Sequence, residues 1–220
     1  MIDRLLSLIA PHYCCGCGEV GVKLCDCCKN DILEDAPSIC IFCRKLVKNA
    51  NLCSNHQLPY STGYLVGFRD GPLLKLIDDY KFNRAKESAK AIADLIISRL
   101  PAMYGDIVIV PIPTTPHNVR VRGYDHMLLI ARYLSRQSGW SVESVLTRQN
   151  NITQHYAKSA AQRKEQAKSF FRVKRELSTD KIYLLIDDIL TTGSTVQAAA
   201  RCLREAGADN VIVAVAAIQR

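Results

Sequence analysis

The 220-residue chain has no apolar run approaching the roughly 18 residues that a membrane-spanning helix needs, so no membrane insertion is expected. Near its start only Leu5 to Ala10 form an apolar patch, which is short for the core of a secretory leader. That patch reads as a short amphipathic helix packing through Leu5, Leu6 and Ile9, and the expected location is the cytoplasm. The P-loop pattern, G-x-x-x-x-G-K followed by Ser or Thr, is missing. G-x-G-x-x-G stands at none of the strand-to-helix turns read below, so neither common nucleotide motif is available there. Acidic residues are almost missing from one stretch. Between positions 148 and 175, Glu165 alone faces Arg148, Lys158, Arg163, Lys164, Lys168, Arg172, Lys174 and Arg175. That segment carries +7 of the formal net charge of +8, whereas residues 1–59 balance six basic against six acidic side chains. A cationic concentration of this kind suits a polyanion.

Cysteine, by contrast, is plentiful and localised. Nine of the ten cysteines lie within residues 14–56. They pair by spacing as Cys14/Cys17, Cys25/Cys28 and Cys40/Cys43, followed by Cys53 with His56. Four such knuckles point to zinc, because each tight turn presents two ligands to one tetrahedral ion. The simplest grouping places the first two pairs on one ion and the last two on another. An interleaved grouping fits the spacing as well, and Cys15 and Cys27 leave the register open. A metal held by four protein ligands has no position for water and is structural. A disulfide framework is the competing reading, and the lack of a leader weighs against it.

The stretch around which the rest is organised is KIYLLIDDILTTGSTVQAAARCLREAG, from Lys181 to Gly207. Ile182 to Ile186 reads as a buried parallel strand. It ends in Asp187 and Asp188, then turns through Thr191, Thr192, Gly193, Ser194 and Thr195 into a helix stopped by Gly207. A turn of small hydroxylated residues at a helix start gathers backbone N–H groups and hydroxyls on one anion. Ionised carboxylates only accept hydrogen bonds, so the acid pair suits a ribose diol or a hydrated Mg2+. Both halves together fit a sugar phosphate.

Elsewhere, Tyr64 to Phe68 alternates as a strand. Helical spacing follows through Leu73, Leu74, Ile77, Tyr80 and Lys81, and again from Glu87 to Leu100. DIVIVPIP, 106–113, reads as a second buried strand, and the stretch TTPHNVRVRGYDH after it as a loop carrying Arg120 and Arg122. A helix then runs to about Ser138, and a strand is expected over Trp140 to Thr147. Residues 149–169 show no trustworthy periodicity beyond some helix around Ala160 to Lys168. Phe170 to Val173 and Asn210 to Ile218 read as strands. Strands alternating with helices from residue 106 onward imply an α/β fold with a parallel sheet and a ligand at the strands' carboxyl ends.

IDDILTTGST resembles the phosphoribosyl-pyrophosphate (PRPP) motif of type I phosphoribosyltransferases. The whole layout is similar to the ComF family: cysteine knuckles first, then VPIP followed by Arg120, Arg122, Gly123 and Tyr124, then the basic loop leading into the PRPP motif. The family usually carries Asn-Gln where this chain has Asp125-His126. The resemblance implies a zinc-binding domain over 1–59 and a phosphoribosyltransferase-like domain over 60–220, with 60–105 as a linking or hood segment. It implies a PRPP site at Asp187, Asp188, Thr191, Thr192, Gly193, Ser194, Thr195, Arg120 and Arg122, with Mg2+ accompanying PRPP. It also implies a role in natural transformation, with imported single-stranded DNA and other competence proteins as partners.

Three functions follow as expectations. In the first, a competence protein binds single-stranded DNA through Lys158, Arg163, Lys164 and Lys168, with Tyr156 and Phe171 stacking on bases. The same basic stretch serves equally well as a lid over pyrophosphate. In the second, a phosphoribosyltransferase of nucleobase salvage uses Asp187 and Asp188 on the ribose hydroxyls, and neither acid has to act as a base. In the third, the knuckles make the chain an adaptor for a protein partner.

Overall fold

The computed structural model describes residues 11–47, 56–83, 85–148 and 170–219. Its sheet is built from the apolar runs. β2 (Ile107–Pro111) is buried at every position, and β6 (Ile182–Leu190) and β7 (Asn210–Ile218) nearly so. Strands covered on both faces need that continuous apolar character. With β1 (Thr62–Phe68) and β3 (Ser141–Val142) they form a five-stranded sheet in the order β1-β7-β6-β2-β3, parallel at every pairing. Ile109 lies opposite Leu184, and Ile186 opposite Ala214.

Successive residues of a strand face opposite sides, so β6 serves two cores. Leu184 and Ile186 join Leu76, Tyr80, Ile92 and Ile130 on one face. These come from α2 (Gly71–Phe82), α3 (Ser88–Arg99) and α5 (His126–Ser138). Tyr183 and Leu185 join Val196, Ala199 and Leu203 of α6 (Ser194–Glu205) on the other. The fold is thus the α/β parallel-sheet arrangement expected. Residues 60–105 do more than link, since they supply edge strand β1 and two helices of the main core.

The cysteine-rich segment begins with two small hairpins, bridged at Tyr13–Val20 and Ile39–Leu46, with α1 (Asp26–Glu34) between them. Its apolar side chains are shared with the sheet. Cys15 and Ile32 enter one core, Ile39 and Ile41 the other. Ile41 approaches so closely that a Cβ on Gly63 would sit 2.1 Å from its Cδ1.

Two expectations change. The strand over 140–147 is two pieces: β3 in the main sheet, and β4 (Leu146–Arg148), which pairs antiparallel with β5 (Phe171–Val173). The chain turns off the sheet after Val142 so that Val145 and Leu146 can be buried in the second core. The stretch after VPIP, read as a loop, contains α4 (Pro116–Arg122). Pro116 starts it, Thr115 Oγ1 accepts from the Asn118 N–H at 3.3 Å, and Gly123 ends it at φ 81°. None of its residues is buried, so it had no apolar stripe to announce it. The helices expected through Leu5, Leu6 and Ile9 and around Ala160 to Lys168 lie outside the described residues.

Gly207 carries a constraint beyond stopping α6. Its φ is 106°, and a Cβ there would stand 2.8 Å from the carbonyl oxygen of Leu177. Gly207→Ala is expected to lower stability by roughly 1–3 kcal/mol, through strain and through parting two backbones. Urea unfolding measures this, and an unchanged midpoint would show that the close approach does not matter.

Candidate functional site

At the carboxyl ends of β2 and β6 a cleft of about 190 Å³ opens, lined by residues that include Lys81, Thr114, Asn118, Arg122, His126, Arg148, Asp187, Asp188 and Thr195. Asp187 and Asp188 are consecutive in β6 and leave the strand on opposite sides. Asp188 is 5% exposed. Its Oδ2 accepts from His126 Nε2 at 2.7 Å and meets Lys81 Nζ at 2.8 Å. Burial by itself would raise the Asp188 carboxyl, but the His126 hydrogen bond and the Lys81 ammonium outweigh it and hold the group below the usual carboxylate range. Asp187 behaves in the opposite way. Burial first, then the charge of Asp188, push it up to about 7, against the Asp188 N–H and the cations Lys81 and Arg148.

His126 connects acid to guanidinium. Arg122 NH1 lies 2.8 Å from Nδ1 and 3.3 Å from Nε2, so the guanidinium sits over the imidazole ring. Thr114 Oγ1 is 2.8 Å from the same Nδ1 and donates to Asp125 Oδ1 at 2.8 Å. Asp125 in turn caps α5 by accepting from the Leu128 N–H at 3.1 Å. Below the ring, Tyr80 donates to the His126 carbonyl at 2.6 Å, and Tyr124 donates to the Tyr80 carbonyl at 2.7 Å.

The hydroxylated turn closes the cleft on the α6 side. Gly193 at φ 75° opens that helix as its N-cap and has no side chain to offer. Thr192 Oγ1 accepts from the Ser194 N–H at 3.4 Å and lies 2.9 Å from Ser194 Oγ. Thr191, Thr192 and Ser194 are exposed, while Thr195 lines the cleft. Arg44, from the second cysteine hairpin, donates to the Thr191 carbonyl at 3.0 Å.

Of the residues expected at this site, Asp187, Asp188, Thr195 and Arg122 line one cleft, and Thr191, Thr192, Gly193 and Ser194 form the turn beside it. Arg120 is not among the lining residues and is exposed. Two positions along a helix are roughly 200° apart, so Arg120 and Arg122 leave α4 on opposite sides. The expectation that Phe171 stacks on a base is corrected. It is 5% exposed, packed in the second core, with the Arg148 guanidinium 5.2 Å from its ring centroid. Its neighbour Phe170 is the exposed ring. Tyr156, Lys158, Arg163, Lys164 and Lys168 lie outside the described residues, as does Cys53.

Sequence reading missed Lys81 and left His126 without a role. Lys81 had a signal: a cation continuing the apolar spacing of Leu73, Ile77 and Tyr80, where a charge needs a partner.

The cysteines form two groups. Ligand atoms of Cys14, Cys17, Cys25 and Cys28 lie within 4.8 Å of one another, as do those of Cys40, Cys43 and His56. Cys15 and Cys27 stand apart, one turned to Asp79 at 3.8 Å and the other exposed. In the first group the Cys14–Cys25 and Cys17–Cys25 sulfurs are 3.7 and 3.6 Å apart, well beyond a disulfide bond. Burial opposes ionisation of Cys14, yet amide hydrogen bonds from Cys25, Cys17 and Gly16 bring its thiol down to about 6. Burial and the neighbouring sulfurs push Cys28 up to about 12. A thiol cluster that cannot all ionise unaided suits a soft dication. In the second group the buried His56 Nε2 makes no hydrogen bond among the described residues, as a nitrogen reserved for a metal would. Both groups can hold a metal ion, and their donors match zinc.

Residues 126–220 match the phosphoribosyl transferase domain. The chain is 32% identical over 150 residues to DNA utilization protein YhgH of Escherichia coli (strain K12), which covers 64% of this chain and 65% of that protein. It is 26% identical over 201 residues to Competence protein ComFC of Bacillus subtilis (strain 168), covering 84% and 79%. It is 23% identical over 216 residues to Competence protein F of Haemophilus influenzae, covering 84% and 93%.

Metal analysis of purified protein is expected to find about one to two zinc ions per chain. Cys14→Ser or Cys40→Ser is expected to lower both that count and the soluble yield. A zinc-free protein with its thiols oxidised in pairs would end the metal reading. The raised Asp187 predicts a pH effect. Between about pH 4 and pH 7 the folded chain holds a proton there that the unfolded chain has lost, so this group's contribution to stability falls as pH rises through that window. Asp187→Asn is therefore expected to raise stability near pH 8 by on the order of 1–3 kcal/mol and to do little near pH 4. Unfolding midpoints at the two pH values check it.

Proposed function

As the chain belongs to the ComF family of proteins with a phosphoribosyltransferase-type domain, we propose that it acts in natural transformation, handling imported single-stranded DNA, and that its cleft takes a phosphoribosyl ligand such as PRPP with Mg2+. The observation that carries this reading is one cleft in which a hydroxylated helix start, an acid pair and three cations converge. The turn from Thr191 to Thr195 offers backbone N–H groups to a 5′-phosphate. The acid pair offers acceptors to ribose hydroxyls. Lys81, Arg122 and Arg148 offer the positive charge that a pyrophosphate requires. Mg2+ would enter with the ligand, whose own oxygens and waters fill most of its shell. Among the described residues, the groups of three or more metal-ligating side chains are the two cysteine sites, where zinc would serve structure.

The DNA part of the reading rests on the basic stretch and on where it starts and ends. Arg148 and Phe171 face each other across the β4–β5 pair, so the chain enters and leaves residues 149–169 side by side, with Arg148 in the cleft. Exposed Phe170, Arg172 and Lys174 continue from that point. Among the described residues no helix is long and apolar enough to cross a membrane.

Titration of one purified sample with PRPP plus Mg2+, and separately with single-stranded oligonucleotides, tests both parts. DNA affinity is expected to fall with salt, at a logarithmic slope of about −0.7 per phosphate neutralised. Replacing Arg163, Lys164 and Lys168 by Gln should reduce slope and affinity together. A flat salt response would sink the DNA role, and absence of PRPP binding would sink the phosphoribosyl role. Steady product formation from PRPP and free bases would instead make the chain a phosphoribosyltransferase of nucleobase salvage.

A further inference from the structure

We propose that Arg44, a residue of the second cysteine hairpin, is a positioning residue of the hydroxylated turn: it holds the Thr191 carbonyl so that the Thr192 N–H is presented to a 5′-phosphate. This deepens the phosphoribosyl reading above and rests on it.

The two cysteine hairpins are built alike. In the first, the Cys14 N–H bonds to the Glu19 carbonyl at 2.8 Å and the Gly18 N–H to the Cys14 carbonyl at 3.1 Å. In the second, the Cys40 N–H bonds to the Lys45 carbonyl at 2.8 Å and the Arg44 N–H to the Cys40 carbonyl at 2.8 Å. Gly18 and Arg44 therefore hold the same place, directly after the second cysteine of a C-x2-C pair. That place takes a left-handed backbone, at φ 81° in one hairpin and 62° in the other. Glycine adopts it freely, whereas a residue with a Cβ is strained there. Among the described residues Arg44 is the only one besides glycines with a positive φ. Strain accepted at one of two matching turns points to a task for the side chain.

That side chain leaves its own hairpin and reaches the turn after β6. Its NH2 donates to the Thr191 carbonyl at 3.0 Å, and among the described residues no other hydrogen bond reaches that carbonyl. Both ends of the contact are anchored. Ile39 and Ile41 tie the hairpin into the second core together with Leu190, the residue before Thr191. In a trans peptide the carbonyl and the following N–H point in opposite directions. Holding the Thr191 carbonyl toward the hairpin therefore holds the Thr192 N–H away from it. With that peptide turned over, an oxygen instead of a donor would meet an anion. The turn's own side chains do not supply this hold, since the Thr192 and Ser194 hydroxyls lie 2.9 Å from each other and Gly193 has none.

Titration of the full chain with ribose 5-phosphate reads the turn directly. Arg44→Gly fits the left-handed backbone and removes the guanidinium. It is expected to keep the metal content and unfolding midpoint of the unaltered protein and to weaken ribose 5-phosphate roughly three- to tenfold. Arg44→Lys, which keeps an N–H donor on a long stem, is expected to recover most of that loss. Lys45→Ala removes an exposed neighbouring charge from the same hairpin and is expected to leave the affinity unchanged. The inference is overturned if Arg44→Gly binds ribose 5-phosphate as tightly as the unaltered protein, or if Arg44→Lys does no better than Arg44→Gly. It is overturned too if Lys45→Ala costs as much as Arg44→Gly, which would make the effect one of general charge. Should Arg44→Gly fail to fold, Arg44→Asn takes its place, because Asn tolerates that backbone and is too short to span the gap that the guanidinium spans. Unaltered protein that does not bind ribose 5-phosphate would instead overturn the reading of the turn as a phosphate site, on which this rests.

Discussion

A buried carboxylate cannot stand alone. Removing an ion from water costs several kcal/mol unless partners replace the lost hydration. Asp188 is such an ion, set where β6 leaves the apolar body of the sheet. Its needs decide what surrounds it. Lys81 must come from the last turn of α2 and His126 from the first turn of α5, so those helices have to lie on the same face of the sheet. Two tyrosines brace them, each donating to a backbone carbonyl on the other helix or its approach. β6 holds the central place between β7 and β2, with helices packed over both its faces.

A second dependency links the cysteine-rich segment to the cleft. That segment is too short to bury much apolar surface, so metal binding would have to contribute to its folding. It is nevertheless joined to the sheet, through Ile39 and Ile41 in the core and through the Gly63 position that admits Ile41. Arg44 sits in the turn of the second hairpin at φ 62°, an unfavourable angle for a residue with a Cβ. Its N–H bonds to the Cys40 carbonyl at 2.8 Å while its guanidinium reaches the Thr191 carbonyl. The turn that could hold a metal and the turn that would bind phosphate are therefore in direct contact.

The cleft is cationic in a graded way. Lys81 is committed to Asp188, Arg122 lies against the His126 ring, and Arg148 lies over the Phe171 ring at the rim. Charge that is paired shapes the site, and charge that is less engaged attracts a ligand. Because β4 and β5 bring both ends of the basic stretch to this rim, a small phosphorylated ligand and a nucleic-acid backbone would meet overlapping fields. That shared field explains why composition alone left lid and groove equally plausible for residues 148–175.

The amino-acid sequence by itself determined the parallel sheet, the acid pair at a strand end, the hydroxylated turn at a helix start and the cysteine pairs. Each of these is a local pattern, and its physics acts over a few residues: continuous apolar runs for strands buried on both faces, hydroxyls and Gly193 where a helix opens, two sulfurs on one tight turn. Tertiary structure alone decided how the acids differ. Asp187 and Asp188 look identical in IDDILTTGST, and only the approach of Lys81 and His126 from distant helices pairs Asp188 as an ion while burial raises Asp187 at the cleft wall. It also decided that Arg122 and not Arg120 lines the cleft, since α4 has no buried face to reveal its helical period. Likewise it placed Phe171 in the core and Phe170 outside, because the strand's alternation could be anchored only once its partner, β4, was known. Local pattern is written in neighbouring residues; desolvation and charge depend on what the fold brings alongside them from far along the chain.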